Sequence, residues 1–490
     1  MRISELFLNT GAKPEIDCEV SGISINSKSV KKGYIFFALE GEKTNGLFFV
    51  EEAFKNGSVA AVVKKESKIS GKNIIKVDDV NRTLALVSSR FYLDPSSKMK
   101  TVGITGTKGK TSTLFFLEQI LNHAGYNCGV IGTINYKTHK RVIMDSPNTT
   151  PYPPLLDEVM KMFVEDGCEI CLMEVSSHAL KLKKVDAVKF DCAVFTNLQS
   201  DHLDFHITHN DYKKSKIRLF ELIESSPKPK RYAVLNLDDP LSIEISKMLK
   251  NIDIISFSLS KKADIIACDI HTSENSTLFT LLFSGKKLRL KTEIIGTHNV
   301  YNILAASAAA LSFGVDPKDI ASSIPLLKPV KGRLERIRSS KGFTVYIDYA
   351  HTEKSLMEIL NTLSSLPHRK IITVFGCGGD RDKTKRLPMG RVASEMSDFV
   401  IITSDNPRTE DPLEIIKDIE KGVRETKKNN YDIIPDRSIA IEKAISIACE
   451  KDIVLVAGKG HEEYQIINNE RRYFSDRQEI ENAMKKLNKL

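Results

Sequence analysis

Residues 102–113, VGITGTKGKTST, combine the residue types that phosphate chemistry needs at a workable spacing. The apolar run Thr101 to Ile104 leads into Gly106-Thr107-Lys108-Gly109-Lys110-Thr111-Ser112, and Leu114 to Leu121 follow with apolar residues at helical spacing. This order reads as strand, glycine turn, helix. Such a turn aims backbone N–H groups and a helix N-terminus at one point, which suits a phosphate. Lys110 can reach the outer phosphates of a nucleotide, and the Thr111 hydroxyl can ligate Mg²⁺. Ile104 stands where the common GxxxxGK[ST] loop has its first glycine, so this is the tighter GTxGK[ST] form. The bland alternative, a glycine turn with a chance lysine, requires four independent features to coincide. An ATP site is expected.

Further candidates lie at the ends of strand-like runs. Glu174 ends the apolar stretch Cys168 to Met173 and precedes Ser176-Ser177-His178, a place from which a carboxylate can hold Mg²⁺ against phosphates. His202, in Asp201-His-Leu-Asp204, follows the run Asp191 to Asn197. A lone histidine is more often structural, and only its place at the next strand end makes it a second metal candidate. Lys216, on a predicted helix 211–223, reads from its neighbours as a solvated charge. In the last third, four strands (343–348, 370–375, 398–403 and 452–457) each run into a polar motif. These are Asp348-Tyr-Ala-His351, Gly376 to Arg381, Asp405-Asn406-Pro407-Arg408 and Gly458 to Glu462. Ligands collect at the carboxyl ends of strands in doubly wound sheets, so four such ends predict a cleft.

The elements that must position these groups divide a chain of 490 residues into α/β domains. Residues 1–98 hold short β-like runs and one helical stretch, a small binding module. Residues 99–328 alternate long strands and helices around the phosphate loop, with a hairpin-rich insertion at 253–295 turning at Ser284-Gly285. Residues 329–490 read as a Rossmann-like doubly wound domain. The net charge of +9 is spread as scattered lysines without an aromatic-interleaved basic block, which argues against nucleic acid and suits anionic small substrates. No apolar run approaches a membrane span, and the N-terminus has no apolar signal region, so a cytoplasmic chain is expected. Eight cysteines are too few for a disulfide scaffold, and Cys168 and Cys171 are expected as buried free thiols. A monomer is the default.

The stretches GTKGKTS, MEVSSHAL, FTNLQSDHLDFH, YKKSK, GTHNVYN, GRLER, DYAHT, FGCGGDRDKTKR, DNPR and GKGHEEYQ occur in an order that resembles the Mur ligases of peptidoglycan synthesis, over nearly the whole chain. The branch it looks like adds the third stem-peptide residue to UDP-N-acetylmuramoyl-L-alanyl-D-glutamate. DNPR resembles the meso-diaminopimelate-adding members. The resemblance implies a three-domain, ATP-dependent, ADP-forming amide ligase that works through an acyl phosphate. It assigns catalytic roles to Lys110, Glu174, His202 and Lys216. Gly106 to Ser112 would bind ATP phosphates, Asn302 the adenine, Arg333 a phosphate and Asp348 the ribose. Thr111 and Glu174 would hold one Mg²⁺, and His202 with a CO2-derived carbamate on Lys216 the other. Ile25, Ser27, Glu42, Lys43 and Thr44 match the uridine-nucleotide pocket, and Thr149, Thr150, Ser176 and Lys184 the muramyl-dipeptide contacts. Arg381, Asp405, Asn406, Pro407, Arg408, Gly458 and Glu462 match the amino-acid site. There, a buried Arg408 would fork onto the distal carboxylate of diaminopimelate and go unpaired with L-lysine. The resemblance also implies that the third domain closes onto ATP before chemistry. Departures from the usual pattern are Leu182 and Lys184 after the SSH motif, Lys108 in the loop, and Asn26-Ser-Lys28. L-Lysine and lanthionine are alternative amines. A folylpolyglutamate-type ligase and a non-catalytic ATP-binding scaffold are rival readings.

Overall fold

A computed structural model describes residues 1–41, 44–199, 205–206, 208–468 and 470–490. The chain forms two compact units: residues 1–266 with 302–320, and residues 267–301 with 321–490.

The first unit opens with four parallel strands, Gly22–Ser24, Tyr34–Phe37, Ala60–Lys64 and Ile74–Val77, paired in that order. Helix Val80–Phe91 covers this sheet with Leu84 and Val87, and is capped by the Asp79 carboxylate, which accepts from Arg82 N at 2.9 Å.

The unit's larger sheet explains why remote motifs meet. Its strands Lys100–Thr105, Cys128–Ile131, Ile170–Glu174, Cys192–Phe195 and Tyr232–Asn236 are almost wholly buried, as parallel strands covered on both faces must be. Lys100–Thr105 lies between Ile170–Glu174 and Cys192–Phe195, parallel to both. Ile104 pairs with Glu174, and Thr105 with Phe195. The phosphate loop, Glu174 and the segment from Thr196 therefore leave one sheet edge together. Asp253–Ser258 pairs in parallel with Tyr232–Asn236, so the expected insertion begins after it. Only the second half of that strand is buried, so it lacks the continuous buried run of its neighbours. Antiparallel strands Asn135–Lys137 and Val142–Asp145 extend the other side.

The second unit contains a six-stranded sheet ordered Glu335–Arg338, Thr344–Asp348, Ile453–Ala457, Ile371–Phe375, Phe399–Ile402, Tyr431–Ile433. The first pair is antiparallel and the rest are parallel. The four strands expected here are present. The two edge strands escaped notice because they are short and charged. Two hairpins complete the unit, Thr277–Phe283 with Lys286–Thr292, and Tyr464–Ile467 with Glu470–Tyr473. The first turns at Ser284-Gly285.

All eight cysteines are free, and burial pushes the Cys168 and Cys171 thiols up. Among the described residues, no helix is long and apolar enough to cross a membrane.

Candidate active site

The phosphate loop is built by the strand and helix on either side of it. Helix Lys110–His123 starts at Gly109, whose φ of +85° is open to glycine but strained for an L side chain. A Cβ there would lie 2.3 Å from Asn302 Oδ1. Asn302 thus sits against the loop, and Thr113 Oγ1 reaches the same oxygen at 3.5 Å. The loop is clamped from the neighbouring strand end. Asn197 Oδ1 accepts from Lys108 N at 3.0 Å, Thr196 Oγ1 donates to Lys108 O at 2.6 Å, and Asn197 O accepts from Thr107 N at 2.8 Å. The Lys110 ammonium donates to the carbonyls of Gly106 and Thr107 at 2.9 and 3.0 Å. Ser112 is buried in the first helical turn.

Glu174 is fully buried. Its carboxylate accepts from Thr111 Oγ1 at 2.9 Å, Thr133 Oγ1 at 3.0 Å and Thr133 N at 2.7 Å. Two of these neighbours are hydroxyl oxygens beside a buried carboxyl group, the hard-oxygen donor chemistry that Mg²⁺ prefers. Thr133 Oγ1 lies 3.2 Å from Thr149 Oγ1, and Thr150 Oγ1 donates to the Glu174 carbonyl at 2.8 Å. Ser176 joins through its N–H to Thr150 Oγ1 at 3.1 Å and caps the following helix by accepting from Ala179 N. Lys184, 8% exposed, places its ammonium 3.5 Å from Thr150 O and 3.8 Å from the centre of the Tyr152 ring. Burial pulls that lysine down to about 8, so it titrates near neutrality.

Lys216 is not the solvated charge its neighbours suggested. Helix His209–Glu224 turns it inward, 1% exposed, with its nitrogen 4.3 Å from the centre of the Tyr212 ring. Tyr212, one turn earlier, donates to Thr107 Oγ1 at 3.0 Å, which ties this helix face to the phosphate loop. His202 lies outside the described residues, as do Glu42 and Lys43. His206, close in sequence, is fully buried between Ser177 Oγ at 3.0 Å and Asp211 Oδ2 at 3.3 Å. In the first sheet, Ser27 Oγ donates to Glu52 at 2.6 Å, Ile25 is half-buried and Thr44 is exposed.

In the second unit, the Asp348 carboxylate accepts from Leu334 N at 2.7 Å and Ala350 N at 2.8 Å. The guanidinium of Arg333 stacks 4.6 Å from the centre of the Tyr349 ring. A separate cluster forms where loop 405–408 meets loop 458–462. Asn406 Nδ2 donates to Glu462 Oε2 at 2.9 Å, and the fully buried Lys459 reaches Asn406 Oδ1 at 3.2 Å and Glu462 Oε2 at 3.3 Å. Burial pushes the Glu462 carboxyl up, and Lys459 opposes that shift. Gly458 leaves no room for a side chain, since a Cβ would lie 2.6 Å from Asp405 Oδ2. Arg408 is held in the left-handed region at φ +55°, its N–H on Ile466 O at 2.9 Å and its carbonyl receiving Asn468 N at 2.8 Å. Contrary to expectation, Arg408 is half-buried and one of its nitrogens donates to Gly379 O at 2.8 Å. The cost of leaving this guanidinium without a carboxylate is therefore smaller than for a buried, unpaired arginine. Arg381 is exposed, and Pro407 is buried.

Models of the Mur ligase middle domain, the Mur ligase glutamate ligase domain and the Mur ligase family catalytic domain match residues 104–310, 332–460 and 19–92. A UDP-N-acetylmuramoyl-L-alanyl-D-glutamate--2,6-diaminopimelate ligase of Clostridium botulinum is 40% identical over 476 residues, 96% of each chain. The chain belongs to the Mur ligase family. A solved structure of a ligase of the same name matches at a TM-score of 0.67 with 31% identity, covering 96% of this Mur ligase and 95% of that chain. A Mycobacterium tuberculosis folylpolyglutamate synthase complexed with ADP and AMPPCP shares the fold alone, at a TM-score of 0.62 and 16% identity over 76% of this chain and 91% of that one.

Three residues that the fold brings to the candidate site were not singled out from the sequence. Thr133 follows the short strand Cys128–Ile131 by two residues, with no polar motif to mark it. Tyr212 reads as an ordinary helix aromatic. Lys459 sits inside a motif whose glycine and glutamate drew notice first. Each matters only because of what folding brings to it.

Proposed function

We propose that this Mur ligase joins meso-2,6-diaminopimelate to UDP-N-acetylmuramoyl-L-alanyl-D-glutamate, converting ATP to ADP and phosphate. The observation that carries this reading is 40% identity, over 96% of both chains, to a protein named for that reaction. The paired Asn406, Glu462 and Lys459 supply a fitting amine pocket. The D-glutamyl carboxylate attacks the γ-phosphorus of ATP, giving an acyl phosphate and ADP. The amine then attacks the acyl carbon, expels phosphate and loses a proton. Gly106 to Ser112 cradle the phosphates, and Lys110 moves from the carbonyls of Gly106 and Thr107 to the transferring phosphoryl group. Thr111 and Glu174 would hold Mg²⁺, which would supply neutralisation of phosphate charge there. We assign Asn302 to the adenine, and Arg333 and Asp348 to a phosphate and the ribose. Thr149, Thr150, Ser176 and Lys184 take the muramyl-dipeptide, with Lys184 a single point charge where a fork is usual. Ile25, Ser27, Glu42, Lys43 and Thr44 take the uridine nucleotide. Glu462 pairs with an ammonium of the incoming diamino acid, and Arg408 and Arg381 meet its carboxylates.

Lys216 is assigned as a carbamate. A neutral lysine amine adds to CO2 and releases a proton, which replaces a buried cation by an anion suited to a second Mg²⁺ with His202. Its 1% exposure and its helix's link to Thr107 support this. Lys216→Ala should lose activity and regain part of it with a short-chain carboxylic acid; full activity without rescue removes the role. The substrate assignment is tested by amine-dependent phosphate release with meso-diaminopimelate, L-lysine and lanthionine. A preference for L-lysine overturns it. Release only with a folate acceptor would favour the folylpolyglutamate reading.

A further inference from the structure

A buried ion pair of the second unit lies behind the amine pocket. Arg437 and Asp476 are both fully buried and bond as a fork, Nε to Oδ1 at 2.7 Å and Nη2 to Oδ2 at 2.8 Å. Each is the first residue of a capped helix. The Asp436 carboxylate caps helix Arg437–Ile447 by accepting from Ser438 N and Ile439 N, and Ser475 caps Asp476–Lys486. Two further guanidinium donors go to carbonyls, Ala457 O at 3.0 Å and Ser404 O at 3.4 Å. Those residues immediately precede Gly458 and Asp405.

The sheet order makes this geometry informative. Strands Ile453–Ala457 and Phe399–Ile402 are not neighbours, because Ile371–Phe375 runs between them. Two strand spacings, about 9.6 Å, separate them, and the segments they carry meet beyond the strand ends through the side chains of Asn406, Lys459 and Glu462 and the backbone of Arg408 on Ile466 and Asn468. Arg437 bridges that gap with one rigid group. The carboxylates of Asp405 and Glu462 lie close enough to act on its charge. An isolated buried ion pair gains little stability over apolar residues of the same volume, so stability alone is a weak account of it.

We propose that Arg437, oriented by Asp476, is a positioning residue of the amine site, fixing the separation of the walls 405–408 and 458–462 and thereby the discrimination among diamino acids. This rests on the reading of those walls as the amino-acid site. A loosened wall should weaken amine binding while the nucleotide and muramyl substrates, held by other residues, bind as before.

The test is steady-state kinetics of R437M/D476L, which removes both charges, and of R437K, which keeps the charge but loses the fork. Wild type must first show amine-dependent phosphate release; its failure would sink the functional reading, not this one. In R437M/D476L we expect KM for meso-diaminopimelate to rise at least tenfold and the preference for it over L-lysine to fall at least tenfold. KM for ATP and for the muramyl substrate should stay within twofold, and R437K should lie between. Unchanged amine KM and preference in a folded R437M/D476L overturns the proposal, as does an equal rise in all three KM values, which is the mark of general loosening. Should the double variant not fold, R437K decides by the same criteria.

Discussion

Glu174→Gln isolates the charge of the buried carboxylate from its shape. The carboxylate now accepts three hydrogen bonds, from Thr133 N, Thr133 Oγ1 and Thr111 Oγ1. A glutamine can keep its oxygen on Thr133 N and turn its NH2 toward the two hydroxyls, which rotate to accept. Three charge-assisted bonds become three neutral ones, at about 1 kcal/mol each. Relief of a buried carboxylate's desolvation offsets a similar few kcal/mol. The expected net change in stability is thus within about 2 kcal/mol, a few degrees in Tm. Catalysis has no such compensation, because an amide is a poor Mg²⁺ ligand. Loss of one preorganised electrostatic group at a reacting phosphate costs roughly 10²–10³ in kcat, about 3–4 kcal/mol. The assay is coupled phosphate release at saturating substrates with a Mg²⁺ titration, beside thermal denaturation. A variant that melts like wild type and keeps kcat within threefold would refute the assignment of Glu174 to the metal. A collapse of Tm would show the carboxylate to be structural instead.

Other outcomes follow from single contacts. Gly109→Ala forces a side chain into the left-handed region, at about 1–2 kcal/mol, and drives its Cβ against Asn302 Oδ1. ATP affinity by calorimetry should fall at least about tenfold while the muramyl substrate binds unchanged; unaltered ATP affinity would contradict the loop geometry. Asp157, fully enclosed beside Ser88 and Asp94, is pushed up to about 8 by burial. The folded state therefore keeps a proton that the unfolded chain releases near about pH 3.9, so this group's contribution to stability is fully present below that pH and is lost as pH rises toward 8. Asp157→Asn should remove the decline, so its Tm should pull ahead of wild type between pH 5 and pH 8, by the equivalent of a few kcal/mol at the upper end. Parallel melting curves across that range would show that the group does not titrate there.

Residues 100–123 were legible because every signal in them is local: an apolar strand, glycines where a turn must form, a lysine and threonine on the first helical turn. Glu174 and the four strand ends of the second unit were legible for the same reason, since an apolar run that stops at a polar residue marks an edge. Burial was not legible. Lys216 shows the pattern of a surface lysine, and its inward turn follows from how helix His209–Glu224 packs. Arg408 erred in the opposite sense, because nothing in Asp-Asn-Pro-Arg reveals that Gly379 O would occupy one of its donors. Strand Asp253–Ser258 was assigned to an insertion because its exposed first half breaks the buried run that marks the neighbouring parallel strands.

Sequence by itself determined the phosphate loop, the strand–helix alternation and the motif order that mark a Mur ligase, because each depends on residues within a few positions of one another. Tertiary structure alone decided which motifs meet. Ile104 pairs with Glu174 because of sheet order, and that pairing sets the carboxylate beside Thr111. Arg437 can tie Ser404 to Ala457 only because an intervening strand keeps those ends two spacings apart. Sheet order is set by the packing of whole helices and strands, a property no local window of residues contains.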